Sequence, residues 1–228
     1  MCKVGGNDAP QRHSPIPGLL VSVNGMAQEV RYIDLSGVDQ PTDRKPYGSR
    51  IENFMCGGSE QLFAHRARIS LEWIQSNDIY PHERFGMEVR VENVGTAPIT
   101  VPIHPGLTEL QPRDPATRFE YYSLRLPLET RVPGSGLLLG WLELYGSLSR
   151  PDTLLILKPG EWIRVRGDIV VQRSHERDQV ATALTDFWLS KNVFPAEWDN
   201  TETPSLQDCI LQVGGKSMTV HMHAEPSH

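Results

Sequence analysis

The stretch Met87–Ile103, M-E-V-R-V-E-N-V-G-T-A-P-I-T-V-P-I, decides the fold class of this chain. Its first half alternates apolar and charged residues, and a period of two places the apolar side chains on one face of a β-strand. Asn93, Gly95 and Pro98 then interrupt the pattern with residue types that favour turns. The alternation resumes at Ile99. The stretch therefore predicts a β-hairpin whose two strands each bury one face.

Alternation of this kind recurs along most of the 228 residues, between turns built from many of the 18 prolines and 19 glycines. About ten short strands with one apolar face each predict two sheets packed face to face. Gly18–Leu35 and Cys209–Met222 are each predicted to form a hairpin, with turns at Asn24-Gly25 and Gly214-Gly215. We therefore expect an antiparallel β-sandwich.

One late segment departs from the period of two. Between Asp178 and Lys191 the apolar residues follow the spacing of one face of a helix, at Val180, Leu184, Phe187 and Trp188. Pro195 lies just past the segment, where a helix would have to end. The expected fold is thus an all-β sandwich with one short helix in a late insertion.

Length and charge set limits on the domain organisation and on the partners. Residues 1–17 are polar and contain three prolines, so we expect a flexible leader followed by a single β-sandwich domain over residues 18–228. The N-terminal and C-terminal hairpins are extensions of that domain. A domain of this size buries a substantial core without disulfides or metals. The net charge of -6 disfavours nucleic acid as a partner, because the protein's field repels phosphates.

The three cysteines, Cys2, Cys56 and Cys209, are too few for a disulfide framework. Cys209 is in phase with neighbouring apolar residues and is expected to be a buried thiol, although a Cys56–Cys209 bridge stays open. No apolar run is long enough to span a bilayer, and no secretory signal is visible, which favours the cytoplasm. If Met1 is not native, Cys2 at a trimmed N-terminus indicates an envelope lipoprotein instead.

Two stretches carry a resemblance to a known family. They are V-R-V-E-N-V-G-T-A-P-I-T-V-P-I at Val89–Ile103 and L-K-P-G-E-W-I-R-V-R-G at Leu157–Gly167. From Ile69 to Val171 the order of features resembles bacterial immunoglobulin-like sandwiches, especially the domain type of the BsuPI intracellular proteinase inhibitor. The resemblance implies an immunoglobulin-like fold. It carries over no inhibitory residue motif, and a fold alone does not define an activity.

Two polar strand faces are candidate ligand-binding sites. Trp141, Glu143 and Tyr145 form an aromatic–acid–aromatic stripe, which suits stacking on a sugar or holding a peptide. Trp162 and Arg164, followed by Arg166, form a second stripe in which guanidinium groups stack on an aromatic ring. The alternative is that a second layer of the protein covers both stripes, because large aromatic side chains supply most core burial.

His221 and His223 are the weak metal-binding candidates of this sequence. Residues two apart on a strand point the same way, so both imidazoles could reach one ion, with His104 or Glu109 as guesses for a third ligand. The alternative is two exposed histidines near a terminus. No G-x-S-x-G, H-E-x-x-H or phosphate-binding glycine loop is present, so we assign no catalytic residue and no cofactor.

Strand chemistry without a catalytic constellation suggests a non-enzymatic interaction module. Such a module binds a protein or peptide through a sheet face or a sheet edge. A second hypothesis is a carbohydrate-binding or hydrolytic β-sandwich that uses Trp141, Tyr145 and Trp162. A third is a structural or assembly subunit whose hairpins lock neighbouring copies together.

Overall fold

The computed structural model describes residues 27–38, 67–73, 77–112, 119–132, 135–171, 177–194 and 208–224. These residues form eleven strands and no α-helix, so the prediction of an all-β fold is confirmed. Two short 3-10 turns are also present, at Thr108–Leu110 and Pro151–Thr153. The strands are β1 (Gln28–Asp34), β2 (Ala67–Trp73), β3 (Asp78–Ile79), β4 (Arg84–Asn93), β5 (Ile99–Pro102), β6 (Phe119–Val132), β7 (Ser135–Gly146), β8 (Leu154–Leu157), β9 (Glu161–Val170), β10 (Gln179–Phe194) and β11 (Asp208–Met222).

The strands assemble into two larger sheets and a two-stranded sheet. The first sheet has the order β1-β9-β4-β2, the second has the order β3-β11-β10-β6-β7, and β5 pairs with β8. Most neighbours are antiparallel, but β1 is parallel to β9 and β3 is parallel to β11. The sheets are therefore mixed, and the prediction of a purely antiparallel arrangement is wrong. Parallel neighbours need long connections, which local turn signals do not reveal.

The two larger sheets share one hydrophobic core. Val89 on β4 and Val165 on β9 are buried from one side, and Leu142 and Leu144 on β7 are buried from the other. All four belong to a single cluster of buried side chains. This is the face-to-face packing of a sandwich. The period of two predicted these inward faces correctly.

The two strands predicted within Met87–Ile103 exist, but they do not pair with each other. β4 lies in the first sheet between β9 and β2, whereas β5 leaves that sheet and pairs with β8. The side chain of Asn93, which is fully buried, holds the chain in the path that leads from β4 to β5. Its Nδ2 donates to the carbonyl oxygens of Ala97 and Leu157, both at 2.8 Å, and its Oδ1 accepts the N–H of Gly95 at 2.9 Å. The predicted hairpin pairing is wrong because these bonds turn the chain out of the sheet.

The predicted helix over Asp178–Lys191 is also wrong, because this segment forms most of β10. The strand pairs with β11 on one side and with β6 on the other. Ala183, Phe187 and Leu189 are buried on one face, while Val180 on the opposite face is exposed. The period of two was hidden because both faces carry apolar residues and the inward face contains small ones. Two neighbouring strands satisfy the backbone and override the helical spacing.

Gly214-Gly215 is a bulge and not a hairpin turn. β11 runs without a break alongside β10, and its register shifts between Leu184 and Asp186. A Cβ atom on Gly215 would collide with the carbonyl oxygen of Thr185, so the position requires glycine. The predicted C-terminal hairpin is therefore one long strand. Gly167 on β9, in contrast, pairs regularly with Met87.

The tight turn between β8 and β9 follows the type II pattern of its sequence. The N–H of Glu161 bonds the carbonyl oxygen of Lys158 at 3.0 Å, and Gly160 has a φ of 81°. A positive φ at the third position is the reason for glycine there.

Several sequence-based expectations fall outside the described residues. The leader, residues 18–26 of the N-terminal hairpin, Cys56 and the side chain of Cys209 are among them. Of that hairpin, β1 is described, and it pairs with β9. The domain boundaries and the state of the cysteine thiols therefore stay predictions. Within the described ranges, no helix has the length and hydrophobicity needed to cross a membrane.

Candidate functional site

The outward side chains of the first sheet form a continuous polar surface, which we call the Trp162 face. On β9 the residues Ile163 and Val165 are buried in the core, so the alternating residues Trp162, Arg164 and Arg166 point outward. Strand pairing sets the outward residues of the other three strands beside them. The face comprises Glu29, Tyr32 and Asp34 on β1, Trp162, Arg164, Arg166 and Asp168 on β9, Glu88, Arg90 and Glu92 on β4, and Arg68, Ser70 and Glu72 on β2.

Two guanidinium groups lie against the indole of Trp162. The Cζ atom of Arg90 is 4.3 Å from the ring centroid, and that of Arg164 is 5.2 Å from it. Both distances fall inside the range of about 6 Å in which a cation is attracted to an aromatic ring. Arg90 and Arg164 are direct partners in the β4–β9 ladder, so strand pairing brings both cations to the ring. Of the two arginines of the predicted stripe, Arg164 lies over the ring, whereas Arg166 is hydrogen-bonded to Tyr32.

Carboxylates neutralise these arginines within the face. Glu92 is buried, and its carboxylate forms ion pairs of 2.7 Å with both Arg68 and Arg90. Arg164 bridges Glu29 at 2.8 Å and Glu88 at 3.2 Å. Charges of both signs therefore alternate across the surface.

Tyr32 completes the face on its outer strand. Its side chain is 44% exposed, and it lies opposite Arg164 in the β1–β9 ladder. The pKa of Arg166 is raised, chiefly by a hydrogen bond with the Tyr32 side chain. Hydrogen bonds from Ser36 hold the pKa of Asp34 below its usual range. The bond between Tyr32 and Arg166 joins the side chains of the two neighbouring strands.

The other predicted stripe lies on the outer face of the second sheet and is buried. Trp141 is 8% exposed and Glu143 is 1% exposed. The two carboxylate oxygens of Glu143 accept a bond of 2.7 Å from Arg125 Nε and one of 3.1 Å from Trp141 Nε1. The three residues form a hydrogen-bonded cluster. A buried charge is tolerated when it is paired and hydrogen-bonded, as Glu143 is here.

Tyr145 belongs to a different group from Trp141 and Glu143. It packs with Tyr121, at 6.2 Å between ring centroids, and lies in an apolar cluster with Leu110 and Phe119. Its backbone pairs in both directions with His104. The structure thus separates the predicted stripe into an ion-paired part and an aromatic part. It also places the stripe and Trp162 on different sheets, so these residues do not form one site.

The two histidines at the end of β11 have different surroundings. His223 Nε2 lies 2.9 Å from Asp78 Oδ1, and its ring stacks on Tyr80 with centroids 4.2 Å apart. These contacts attach the short strand β3 to β11. His221 is exposed on the neighbouring position of the same face. Within the described ranges, no group of three or more ligating residues could hold a metal ion.

Sequence reasoning did not include Arg90 or Tyr32 among the site residues. Arg90 lies in the opening stretch, where the alternation correctly placed it on the polar face. Nothing local shows that β4 pairs with β9, because β4 ends at Asn93 and β9 begins only at Glu161. A Trp162–Arg90 contact is therefore visible only after the sheet order is known.

Comparisons with known proteins give no family. No protein-family model and no curated protein matches this chain. Among solved structures, it is similar to an alkylpurine DNA glycosylase, AlkC, from Pseudomonas fluorescens bound to DNA with an abasic site analog (12% identity, TM-score 0.31, 72% of this chain and 32% of that chain). It is also similar to AvmM, which catalyses macrocyclization in alchivemycin A biosynthesis (12%, 0.30, 72% and 92%). A third is a β-glucosidase from Listeria innocua in complex with gluconolactone (9%, 0.31, 69% and 16%).

The chain spans about a third of the glycosylase and a smaller share of the β-glucosidase. At TM-scores near 0.3 these likenesses carry no argument about function.

Proposed function

We propose that this chain is a non-enzymatic interaction module that binds a protein or peptide through the Trp162 face. The observation that supports this is the composition of the face: Trp162 lies between two arginines, with the exposed ring of Tyr32 opposite Arg164. Trp, Tyr and Arg are the residue types that dominate the binding energy of protein interfaces.

The ion pairs of the face favour binding because they hold the side chains in place beforehand. Glu92 fixes Arg90, and Glu88 and Glu29 fix Arg164. Side chains that are already ordered lose less conformational entropy when a partner arrives. The neutralised arginines keep their flat surfaces for contact. The chemistry fits a partner segment of mixed or low charge that carries an aromatic or apolar anchor.

The size of the face fits a peptide or a single loop of a folded partner. Four strands give three strand spacings, a width of about 14 Å at about 4.8 Å per spacing. An extended segment lying across the strands would contact Trp162 and Tyr32 together. A small contact area of this kind belongs to transient binding.

The immunoglobulin-like character of the sandwich is part of the proposal. The two motifs that resemble the BsuPI domain type lie side by side in the structure. Asn93 of the first motif contacts the carbonyl oxygen of Leu157 in the second, and its own carbonyl oxygen accepts the N–H of Gly160 at 2.8 Å. This contact supports treating the two motifs as one structural unit.

The carbohydrate hypothesis has no comparable support. Trp141 and Tyr145 are buried, and Arg90 lies over the ring of Trp162 at 4.3 Å. A sugar stacks on an open aromatic face, so it would have to displace that guanidinium group. We therefore advance protein or peptide binding alone for this surface.

Selection of peptides from a random display library on the purified protein tests the proposal. Peptides of mixed charge with an aromatic or apolar anchor should be enriched, and fluorescence anisotropy should show that Trp162→Ala weakens them roughly 30-fold, the size of an interface hot spot. Thr182→Ala, an exposed change on the other sheet, is the matched control and should leave affinity unchanged. Failure to enrich any peptide, or equal affinity for Trp162→Ala, sinks the proposal.

A further inference from the structure

One carboxylate of the Trp162 face lacks a cationic partner. Glu72 on β2 is exposed, and within the part of the chain that the structure describes it makes no ion pair and no hydrogen bond. Strand pairing sets it directly opposite Glu88 on β4. Like charges that face each other across two strands are destabilising. The free protein therefore carries an unfavourable contact at this point of the face.

The arginines of the face gather instead at Glu92. This carboxylate binds both Arg68 and Arg90, each at 2.7 Å. Arg90 lies between Glu88 and Glu92 on the same face of β4, and its ion pair goes to Glu92. The cations are thus distributed unevenly, and the shortage lies further back along β4, beside Glu88.

The ion pair that Glu88 makes is shared with another acid. Arg164 lies 3.2 Å from Glu88 and only 2.8 Å from Glu29. Burial lowers the pKa of Arg164, but the charges of Glu29, Glu88 and Glu72 raise it above its ordinary value. One guanidinium group therefore serves three carboxylates, and Glu72 is the one that it does not bond.

Arg166 does not offset the acidic pair either. It lies opposite Glu88 in the β4–β9 ladder, but its side chain is hydrogen-bonded to Tyr32, and among the described residues it forms no ion pair with Glu88. The bond with Tyr32 raises the pKa of Arg166 more than the charges of Asp34 and Glu88 do. Glu72 and Glu88 together therefore remain short of positive charge.

A basic side chain fits this pair of carboxylates better than a metal ion does. Calcium takes about six to eight oxygen ligands, more than two carboxylates supply. Within the described ranges, no third ligating residue completes a metal site. A guanidinium group, in contrast, bonds carboxylate oxygens through a planar fork of N–H donors and suits two acids on neighbouring strands.

We propose that the partner of the Trp162 face carries an arginine that binds between Glu72 and Glu88, in addition to its anchor on Trp162. The inference rests on the proposed function and specifies the chemistry of the partner. Complementary charge selects a partner and fixes its register. The unfavourable pair of the free protein becomes a favourable contact in the complex. Local rules of stability are commonly broken at functional sites in this way.

The sheet sets the spacing between the two contacts. Trp162 lies opposite Glu92, and Glu88 is about 14 Å from Glu92 along β4. Glu72 lies one strand further across the sheet, at a strand spacing of about 4.8 Å. An extended segment covers the resulting diagonal of about 16 Å with about four to five residues. The arginine and the anchor of the partner should be separated by that number of positions.

Peptides selected from a random library on the wild-type protein test the inference. They should share an arginine at that distance from the aromatic or apolar anchor. Fluorescence anisotropy should show that Glu72→Gln weakens them roughly 3- to 5-fold, the size of an exposed ion pair. Glu129→Gln removes the same charge from the second sheet, so it is the matched control and should leave affinity unchanged.

An exchange of charge locates the contact. A peptide whose arginine is replaced with glutamate should bind the wild-type protein roughly 10-fold more weakly than the original peptide. The same peptide should bind Glu72→Lys more tightly than it binds the wild type. Equal affinity for these two proteins, or an equal loss in Glu129→Gln, overturns the inference. Circular dichroism melts show that each variant is folded.

Failure of this inference and failure of the proposed function give different results. Peptides that share no arginine, or that Trp162→Ala weakens and Glu72→Gln does not, overturn the arginine contact and leave the Trp162 face as the binding surface. If no peptide is enriched, or if Trp162→Ala binds as the wild type does, both proposals are overturned.

Discussion

At the scale of single residues, Asn93 does the most to set the path of the chain. Its side chain makes three hydrogen bonds inside the protein, which tie the end of β4 to the turn after it and to the end of β8. The alternation around Asn93 was visible in the sequence, and so was a turn. The bond to Leu157 was not, because it joins residues 64 positions apart.

Replacing Asn93 with alanine should strongly destabilise the fold. The change leaves the carbonyl oxygen of Leu157 and the N–H of Gly95 without this partner, and each buried unsatisfied group costs about 1–3 kcal/mol. We expect a loss of about 3 kcal/mol in the free energy of unfolding, measured by urea titration. Asn77→Ala, at an exposed position, should change it by less than about 0.5 kcal/mol. A loss at Asn93 no larger than that of the control would contradict the role assigned to its side chain.

At the scale of elements, strands were predictable and their partners were not. The polar and apolar faces of β4 and β9 follow directly from alternation, as Val91 and Ile163 show. β10 was not recognised because Ala181 and Ala183 are weak hydrophobic signals on its inward face. The bulge in β11 was mistaken for a turn because adjacent glycines serve both purposes. Only the unbroken pairing with β10 distinguishes them.

Asp186, which lies beside the bulge in β11, is an acid with a shifted pKa. Burial raises the pKa of Asp186, although the N–H of Gly215 and the side chains of Trp188 and Arg131 favour the charged form. A carboxyl whose pKa is higher in the folded state holds its proton more tightly there. Its contribution to stability is therefore present below the unfolded pKa of about 3.9 and is lost as pH rises through the folded pKa.

Asp186→Asn should remove this loss of stability at neutral pH. The amide is neutral at every pH and keeps an oxygen for the N–H of Gly215. We expect a higher melting temperature than wild type at pH 7 and no gain at pH 3, measured by calorimetry. A gain of the same size at both pH values would show that charge burial is not the cause.

At the scale of the whole molecule, two inward-facing glycines allow the two larger sheets to approach each other closely. Gly167 on β9 faces Leu142, since a Cβ atom there would lie 2.7 Å from Leu142 Cδ2. Gly140 on β7 faces Ile169 so closely that a Cβ atom would collide with its Cγ2. Neither contact could be read from local pattern, because each joins two sheets whose order depends on long-range pairing.

The pair Gly140 and Ile169 gives a test of this packing between sheets. Gly140→Ala should cost about 1–3 kcal/mol, because the Cγ2 of a β-branched side chain is held close to the backbone and cannot move aside. Ile169→Ala alone should cost about 2–5 kcal/mol by leaving a cavity.

The double variant should be more stable than the sum of the two losses predicts, because the new methyl group then enters the space that Ile169 vacates. Urea unfolding of the four proteins gives the coupling energy, expected at about 1 kcal/mol or more in favour of the double variant. Strict additivity would mean that the two residues do not touch. The sheets would then be spaced by other contacts, and β7 and β9 would not face each other at this point.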